Sequence, residues 1–142
     1  MMNDLTKRAR EVFAADCYAS KLTGITIEDV GENSAVCALR VGDNHRNARG
    51  VAMGGVLFTL ADFCAAVAAN SRQLTVDKGQ LQWVSLDSTI HFLAPATGES
   101  LIAHAAALKV GRSTALYQTT IECPDDGRRI AVVETTMISV SH

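Results

Sequence analysis

The feature that most constrains this fold is a long apolar segment that starts at the paired glycines Gly54 and Gly55 and runs to about Asn70. Apolar residues occupy every side of the helix it would form, so we expect that helix to be buried nearly all round. Thr59 and Asp62 interrupt the segment and make it a poor membrane span. The rest of the chain must therefore supply a layer that encloses the helix.

That layer is predicted to be a sheet, because most of the remaining chain consists of alternating runs bounded by turn-forming residues. Six strands are expected at 25–30, 35–41, 81–93, 99–110, 113–123 and 129–140. Turn signals separate neighbours at 31–33, 111–112 and 124–127. Strands this long must twist and curve. The predicted fold class is α+β, with a curved antiparallel sheet wrapped around one long central helix.

The chain length limits the number of domains. At 142 residues the chain fits one domain, residues 1–142, because two would each be too small for a good core. An N-terminal helix is predicted at about 4–18, with Asp4 as its cap. A short exposed connection is expected from Thr75 to Gly79.

Composition argues against several classes of protein. The formal charge is −2 and no basic cluster is longer than Arg128-Arg129, which is unlike a nucleic-acid-binding surface. The first residues lack an apolar signal core, and with no membrane span we expect a cytoplasmic location. The cysteines and histidines lack metal-ligand spacing, so no metal site is expected. The four cysteines are predicted to be reduced and mostly buried, at Cys17, Cys37, Cys64 and Cys123.

Asp62 is the only charged residue inside the apolar helix. No Lys or Arg lies three or four positions away to neutralise it. An ionised carboxylate in apolar surroundings is costly unless it is paired. Two interpretations stay open: Asp62 reaches solvent or a distant Arg, or it is a general base or nucleophile.

The start of the same helix offers a second reactive feature. Two glycines leave the first backbone N–H groups uncovered, and a helix N-terminus carries partial positive charge. A carbonyl oxygen could be polarised there, as in an oxyanion hole. Gly54 and Asp62 are eight residues apart, or about 12 Å along a helix, which is too far to act on one reacting carbon. If both take part, Asp62 must come from a neighbouring subunit, so this chemistry requires a dimer.

Two stretches resemble a known family. Residues 47–55, N-A-R-G-V-A-M-G-G, followed by L-F-T-L-A-D at 57–62, resemble the N-x-x-G-x-x-H-G-G…L-A-D signature of the phenylacetic-acid-degradation-type hotdog thioesterases. Residues 85–96, followed by Gly98-Glu99, are similar to that family's central strand and its F-L-x-P exit. The likeness covers about residues 40–140. It implies a hotdog fold and a hydrolase that splits an acyl-CoA-type thioester into a free acid and a thiol.

The resemblance also implies an assembly and a set of catalytic positions. The family forms homodimers with sites across the interface, and often tetramers made of two dimers. Asp62 matches the carboxylate that activates water or attacks the acyl carbon, and Gly54 matches the backbone donor to the thioester oxygen. Asn47 matches a loop Asn near the scissile group, and Ser85 matches a hydroxyl that holds the attacking water.

The predicted substrate-binding residues lie at the helix start and at one turn. Met53 and Gly55 flank the backbone donor, and Lys109, Arg112 and Ser113 match a turn where related proteins meet the phosphates and pantetheine arm of coenzyme A. Met53 departs from the signature, which has His there. Methionine donates no hydrogen bond and carries no charge. No metal or redox cofactor is expected, and coenzyme A enters only as part of the substrate.

Two rival functions stay open. The absence of the signature His at Met53 is compatible with a non-catalytic acyl-CoA-binding or sensor protein on the same fold. A hotdog dehydratase or hydratase would need a His paired with the acid, and His45 is the only candidate in the preceding loop. His91 and His104 are interpreted as strand surface residues.

Overall fold

A computed structural model of the chain describes residues 2–76 and 80–140. Its helices are α1 (Asp4–Phe13), α2 (Gly54–Ala69) and the single turn α3 (Gln73–Val76). Its strands are β1 (Thr26–Gly31), β2 (Ser34–Arg40), β3 (Trp83–Phe92), β4 (Ser100–Val110), β5 (Thr114–Cys123) and β6 (Arg128–Ser139). All six predicted strands and the central helix are confirmed, with boundaries that differ by a few residues.

The six strands form one antiparallel sheet in the order β1-β2-β4-β5-β6-β3, and α2 packs against every strand. Burial alternates along β5, where the side chains from Ala115 to Cys123 are buried at every second position. The small side chains Ala61, Ala65 and Ala68 of α2 are fully buried against the sheet. The predicted α+β fold, a curved sheet around a central helix, is confirmed.

One expectation for α2 is wrong. A stripe along the helix stays open instead of being buried: Phe58 is exposed, and Thr59, Asp62 and Ala66 are half-buried. These positions recur at helical spacing, so they lie on one side of α2. The physical reason is that a single sheet covers only one side of a helix, and the described residues supply no second layer for the other side.

The N-terminal helix also differs from its prediction. It ends at Phe13 instead of near residue 18, because residues 14–17 are all exposed and add nothing to its buried face. A π-helical turn follows at Tyr18–Thr23. The cap is Asn3, not Asp4, since Asn3 Oδ1 accepts the Thr6 N–H at 2.7 Å.

Three further predictions concern the connection at 75–79, the cysteines and membrane-spanning helices. The predicted connection at 75–79 is helical at its start, where α3 ends at Val76, and residues 77–79 lie outside the described residues. All four cysteines are free, and three of them are buried while Cys17 is exposed. Among the described residues, no helix is long and apolar enough to cross a membrane.

The two edge strands of the sheet differ in how they are covered by helices. Helix α1 covers the edge of β1: Arg10 Nε donates to the Ile27 carbonyl at 2.7 Å, and Thr6 Oγ1 accepts the Val30 N–H at 2.9 Å. Strand β3 forms the other edge, and beyond its first residues no helix of the described chain bonds to its backbone. Four large apolar side chains on or next to β3 are more than 40% exposed, at Val84, Leu86, Phe92 and Leu93. An open apolar edge of this kind is a template for pairing with another chain.

Candidate active site

Helix α2 and strand β3 lie alongside each other in opposite directions and touch at three levels. Asn70, which caps α2, meets the start of β3 at Trp83. Near the middle, Asp62 meets Ser85. At the helix start, Gly54 lies against the ring of Phe92. The predicted catalytic residues Gly54 and Asp62 are therefore held on one helix–strand pair.

The carboxylate half of the site consists of Asp62 and Ser85. Ser85 Oγ donates to Asp62 Oδ1 at 2.9 Å and also lies 3.7 Å from Met137 Sδ. No cation pairs with Asp62 within residues 2–76 and 80–140. The interpretation in which a distant Arg neutralises Asp62 is thus wrong for the described chain. The hydroxyl of Ser85 fixes one carboxylate oxygen, and the other has no partner among the described residues.

The donor half of the site is the start of α2. Met53 O accepts the N–H groups of Val56 and Leu57 at 2.9 and 3.2 Å. Within the described chain, the N–H groups of Gly54 and Gly55 have no acceptor, as expected at the first turn of a helix. A Cβ on Gly54 would lie 3.1 Å from Phe92 Cζ, so a larger residue there would push the Phe92 ring by a few tenths of an ångström. Gly55 has no such neighbour within 4 Å.

Asn47 belongs to the donor half. It lines a cavity of about 380 Å³ together with Gly54, and the remaining lining residues are Val51, Ala52, Leu57, Phe92, Leu93, Ala94, Pro95 and Ala96. No charged side chain lines this cavity. Asn47 Oδ1 accepts the N–H groups of Arg49 and Val51 at 2.9 and 3.3 Å. These bonds shape the loop and use the Asn47 side-chain oxygen, not its amide nitrogen.

One chain does not bring the two halves together. Asp62 and Ser85 are not among the residues that line the Gly54 cavity. Both Gly54 and Asp62 lie within the continuous helix α2, so the separation of about 12 Å argued from helix geometry holds. Each chain thus carries a donor half and a carboxylate half at different levels of the same helix.

His45 holds the loop that precedes α2, a structural role that the sequence did not indicate. It is buried, its Nδ1 accepts the Gly42 N–H at 2.9 Å, and its Nε2 donates to the Thr23 carbonyl at 2.7 Å. Its own carbonyl accepts the Met53 N–H at 2.8 Å, immediately before the helix start. His45 therefore anchors the loop that presents Gly54. Nothing in the local sequence signals this, because Thr23 lies 22 positions away.

The remaining predicted residues are exposed. Met53 is 56% exposed and its side chain caps nothing, although its carbonyl starts α2. Lys109, Arg112 and Ser113 lie at the exposed tip of the β4–β5 hairpin. In the part of the chain that the structure describes, neither cation has an ion-pair partner. Ser113 contributes its carbonyl to the Ser139 N–H at 2.8 Å.

The hairpin tip lies on the same side of the molecule as the carboxylate half. Val84 is opposite Ile138, and Ile138 is opposite Thr114 on its other side. Two strand spacings are about 10 Å, so the start of β5 is about that far from the segment of β3 that carries Ser85. His91 and His104 are exposed strand residues, as predicted, and His104 Nε2 lies 3.2 Å from Glu122 Oε1.

Comparisons with known proteins agree with this architecture. The family model of the thioesterase superfamily matches residues 49–130. Acyl-coenzyme A thioesterase 13 of Homo sapiens is 30% identical over 135 residues, which are 92% of this chain and 93% of that protein. Acyl-coenzyme A thioesterase PaaI of Escherichia coli is 32% identical over 122 residues, or 85% of this chain and 81% of that protein.

A solved structure extends the similarity to almost the whole chain. The E. coli PaaI protein from the phenylacetic acid degradation operon superposes with a TM-score of 0.81 at 27% identity, covering 97% of both chains. The resemblance deduced from residues 47–62 and 85–96 is therefore confirmed. By sequence and by fold, this chain belongs to the thioesterase superfamily and is a PaaI-like hotdog protein.

Proposed function

We propose that this protein hydrolyses acyl-CoA-type thioesters to a free acid and coenzyme A, at sites shared between two copies of the chain. The observation that carries the proposal is the hydrogen bond from Ser85 to Asp62 on the open stripe of α2. This pair lies about 12 Å along the helix from the Gly54 N–H, which has no acceptor among the described residues. The similarity to proteins named acyl-coenzyme A thioesterases supports the substrate class.

In the proposed reaction, the Gly54 N–H donates to the thioester carbonyl oxygen and polarises the carbon. Asp62 of the partner subunit removes a proton from water while the water oxygen attacks that carbon. The tetrahedral oxyanion is held by the Gly54 N–H. Its collapse breaks the C–S bond, and the departing thiolate takes the proton from the Asp62 carboxyl. This sequence of steps needs no metal or redox cofactor.

Ser85 and Asn47 orient the reacting groups in this scheme. Because Ser85 occupies Asp62 Oδ1, the other oxygen is directed to the attacking water. Asn47 lines the same cavity as Gly54, and its amide nitrogen supplies a second polar contact near the carbonyl in this scheme. The other side chains that line the cavity are apolar, which suits an uncharged acyl group.

The geometry of β3 supports the shared site. The bulge between Ser85 and Asp87 adds one residue to this part of β3. Two copies of β3 paired antiparallel across a two-fold axis at Thr89 would therefore set Ser85 opposite the partner's Phe92. Asp62 lies beside Ser85 and Gly54 lies beside Phe92. Pairing through the uncovered edge of β3 would therefore unite the two halves and cover the exposed apolar residues. A dimer of dimers is the larger assembly to test for.

The coenzyme A end of the substrate is assigned to the β4–β5 hairpin. Lys109 and Arg112 carry the positive charge that phosphates require, and no ion pair consumes it among the described residues. Ser113 adds a hydroxyl beside them. Met53 and Gly55 are assigned to the rim of the acyl site because they lie at the exposed start of α2.

The test is steady-state hydrolysis of a panel of aromatic, short-chain and long-chain acyl-CoA substrates, followed with a thiol-trapping dye. Asp62→Asn is expected to lower kcat by a factor of about 100 or more, because general-base catalysis contributes that much. The matched control is Asp125→Asn, which removes an exposed carboxylate from the β5–β6 turn, away from the proposed site and interface. Equal activity of the wild type and Asp62→Asn across the panel would contradict the proposal.

The exposed Met53 keeps a non-catalytic acyl-CoA binder as the second candidate. Calorimetry separates the two: binding of acyl-CoA without release of thiol would favour the binder. A dehydratase or hydratase is disfavoured, because both ring nitrogens of His45 are engaged in holding the loop. Accordingly, no hydration of enoyl-CoA is expected.

A further inference from the structure

We infer that Asn70 is a positioning residue for catalysis: it fixes the start of β3 on the end of α2 and so sets Ser85 against Asp62. This inference rests on the proposed function, in which Ser85 orients the Asp62 carboxylate. Asn70 is 1% exposed and lies eight residues after Asp62, about 12 Å along the helix, so it is buried away from substrate and far from the reacting carbon. Its action must therefore pass through the strand.

The side chain of Asn70 uses both its donor and its acceptor to join the two elements. Its Nδ2 donates to the Ala66 carbonyl at 2.9 Å, inside α2, and to the Trp83 carbonyl at 3.0 Å, in β3. Its Oδ1 accepts the N–H groups of Gln82 and Trp83, each at 2.9 Å. Three of these four bonds go to two consecutive residues at the start of β3. An amide side chain is needed for this pattern, because both donors and acceptors must lie on one group.

The start of β3 has few other attachments. Within one chain, β6 is the only described strand that pairs with β3, and the proposed pairing with the partner's β3 is centred at Thr89, several residues beyond Trp83. A bulge between Ser85 and Asp87 also interrupts the backbone pairing of β3 with β6 next to Ser85. Trp83 lies two residues before Ser85, so the Asn70 contacts are the nearest described side-chain link between this part of β3 and α2 other than the Ser85–Asp62 bond itself.

The test is a double-mutant cycle on kcat with Asn70→Ala and Ser85→Ala, in the full-length protein and with the best substrate of the acyl-CoA panel. Ser85→Ala is expected to lower kcat about tenfold or more, the effect of losing a hydrogen bond to a charged group. Asn70→Ala is expected to lower kcat about as much, with KM within about twofold. In the Ser85→Ala background, Asn70→Ala should change kcat by less than about twofold, because residues that act through one another are not additive.

Ser71→Ala is the matched control. Ser71 is the next residue, is also 1% exposed, and its Oγ accepts the Asn33 N–H at 2.8 Å, which ties the same helix end to the β1–β2 turn instead of to β3. We expect Ser71→Ala to lower the unfolding temperature but to leave kcat within about twofold in both backgrounds, since β3 keeps its attachment.

Trp83 provides a direct readout of the strand start, because it is the only tryptophan in the chain and is 9% exposed. Asn70→Ala is expected to shift its fluorescence emission to longer wavelength, and Ser71→Ala is not. If Asn70→Ala does not fold, Asn70→Asp replaces it in the cycle, since it keeps the two bonds accepted by Oδ1 and loses the two donated by Nδ2.

The outcomes separate this inference from the proposed function. An unchanged kcat for Ser85→Ala would overturn the role assigned to Ser85 in the proposed mechanism. A lowered kcat for Ser85→Ala together with an unchanged kcat for Asn70→Ala, or with equal and additive losses, would overturn the role of Asn70 alone. A red-shifted Trp83 emission with normal kcat would also count against it.

Discussion

The donor half and the carboxylate half of the site differ in how they are built. The donor half is a backbone group: the Gly54 N–H is presented by a loop whose hydrogen bonds come mostly from nearby residues such as Asn47. The carboxylate half is a pair of side chains, Asp62 and Ser85, which lie 23 positions apart and meet only because α2 and β3 are packed together. A backbone donor tolerates changes in neighbouring side chains, whereas a side-chain pair depends on the packing that holds it.

The largest expected effect comes from separating the two halves onto different chains. A subunit with Asp62→Asn and a subunit with Gly54→Pro should each form an inactive homodimer. A purified mixed dimer should recover about half of the wild-type kcat per dimer, because one of its two sites receives an intact Gly54 and an intact Asp62. Differently tagged subunits and tandem purification give the species to assay. An inactive mixed dimer would contradict the shared site, because it would mean that Gly54 and Asp62 of the same chain act together.

The next prediction isolates the backbone donor. Gly54→Pro removes the N–H while keeping a backbone conformation that suits the first turn of a helix, and it should lower kcat by about 100- to 1,000-fold. Gly54→Ala is the matched control, since it keeps the N–H and adds only the Cβ that would press on Phe92. Because Phe92 is 56% exposed and its ring can shift, we expect Gly54→Ala to change the free energy of unfolding by no more than about 1 kcal/mol. If the two variants lose the same activity, the packing against Phe92 matters and the donor does not.

A smaller effect is expected for His45, which holds the donor loop from behind. His45→Ala leaves the Gly42 N–H and the Thr23 carbonyl without their partners, and buried unsatisfied groups cost about 1–3 kcal/mol of stability. Chemical denaturation measures that loss, and kcat should fall with it as the loop loosens.

Two partial replacements sharpen the His45 prediction. Asn retains an acceptor near the position of Nδ1, and Gln retains a donor near that of Nε2. Each should restore part of the stability, through Gly42 and Thr23 respectively. If His45→Ala keeps full stability and full kcat, the loop is held by its other contacts and His45 has no positioning role.

The two halves were also unequally predictable from the sequence. The apolar helix, its glycine start and the isolated Asp62 follow from periodicity and local composition, and the separation of about 12 Å follows from helix geometry alone. The role of Ser85 came only from the family resemblance. The contacts of Asn70 and His45 could not be predicted, because each joins segments that are distant in sequence and no local pattern specifies which backbone groups will be nearby.

The main wrong prediction about the fold was that α2 would be buried on all sides. It has the same cause, because the local sequence does not show which segments meet in space. Hydrophobicity on all sides predicts burial but does not say whether the covering surface belongs to the same chain. Phe58 was expected to be buried, and in the single chain it lies at the surface, as do several apolar residues of β3. Periodicity therefore predicted which residues of α2 should be buried. The structure shows which of them a single chain leaves exposed to solvent.

The smallest expected effect concerns Met53, where the family signature has His. If the donor half works through its backbone, Met53→His should change kcat by no more than about fivefold, the equivalent of one ordinary hydrogen bond. The Met53 carbonyl and N–H, which start the helix and bind His45, are unaffected by the side chain. Met53→Leu is the control for the loss of an apolar side chain of similar size. Kinetics of both variants on one acyl-CoA substrate decide the point: a gain of 100-fold or more with His would mean that this position supplies a side-chain group to catalysis, and that the donor half is not built from backbone alone.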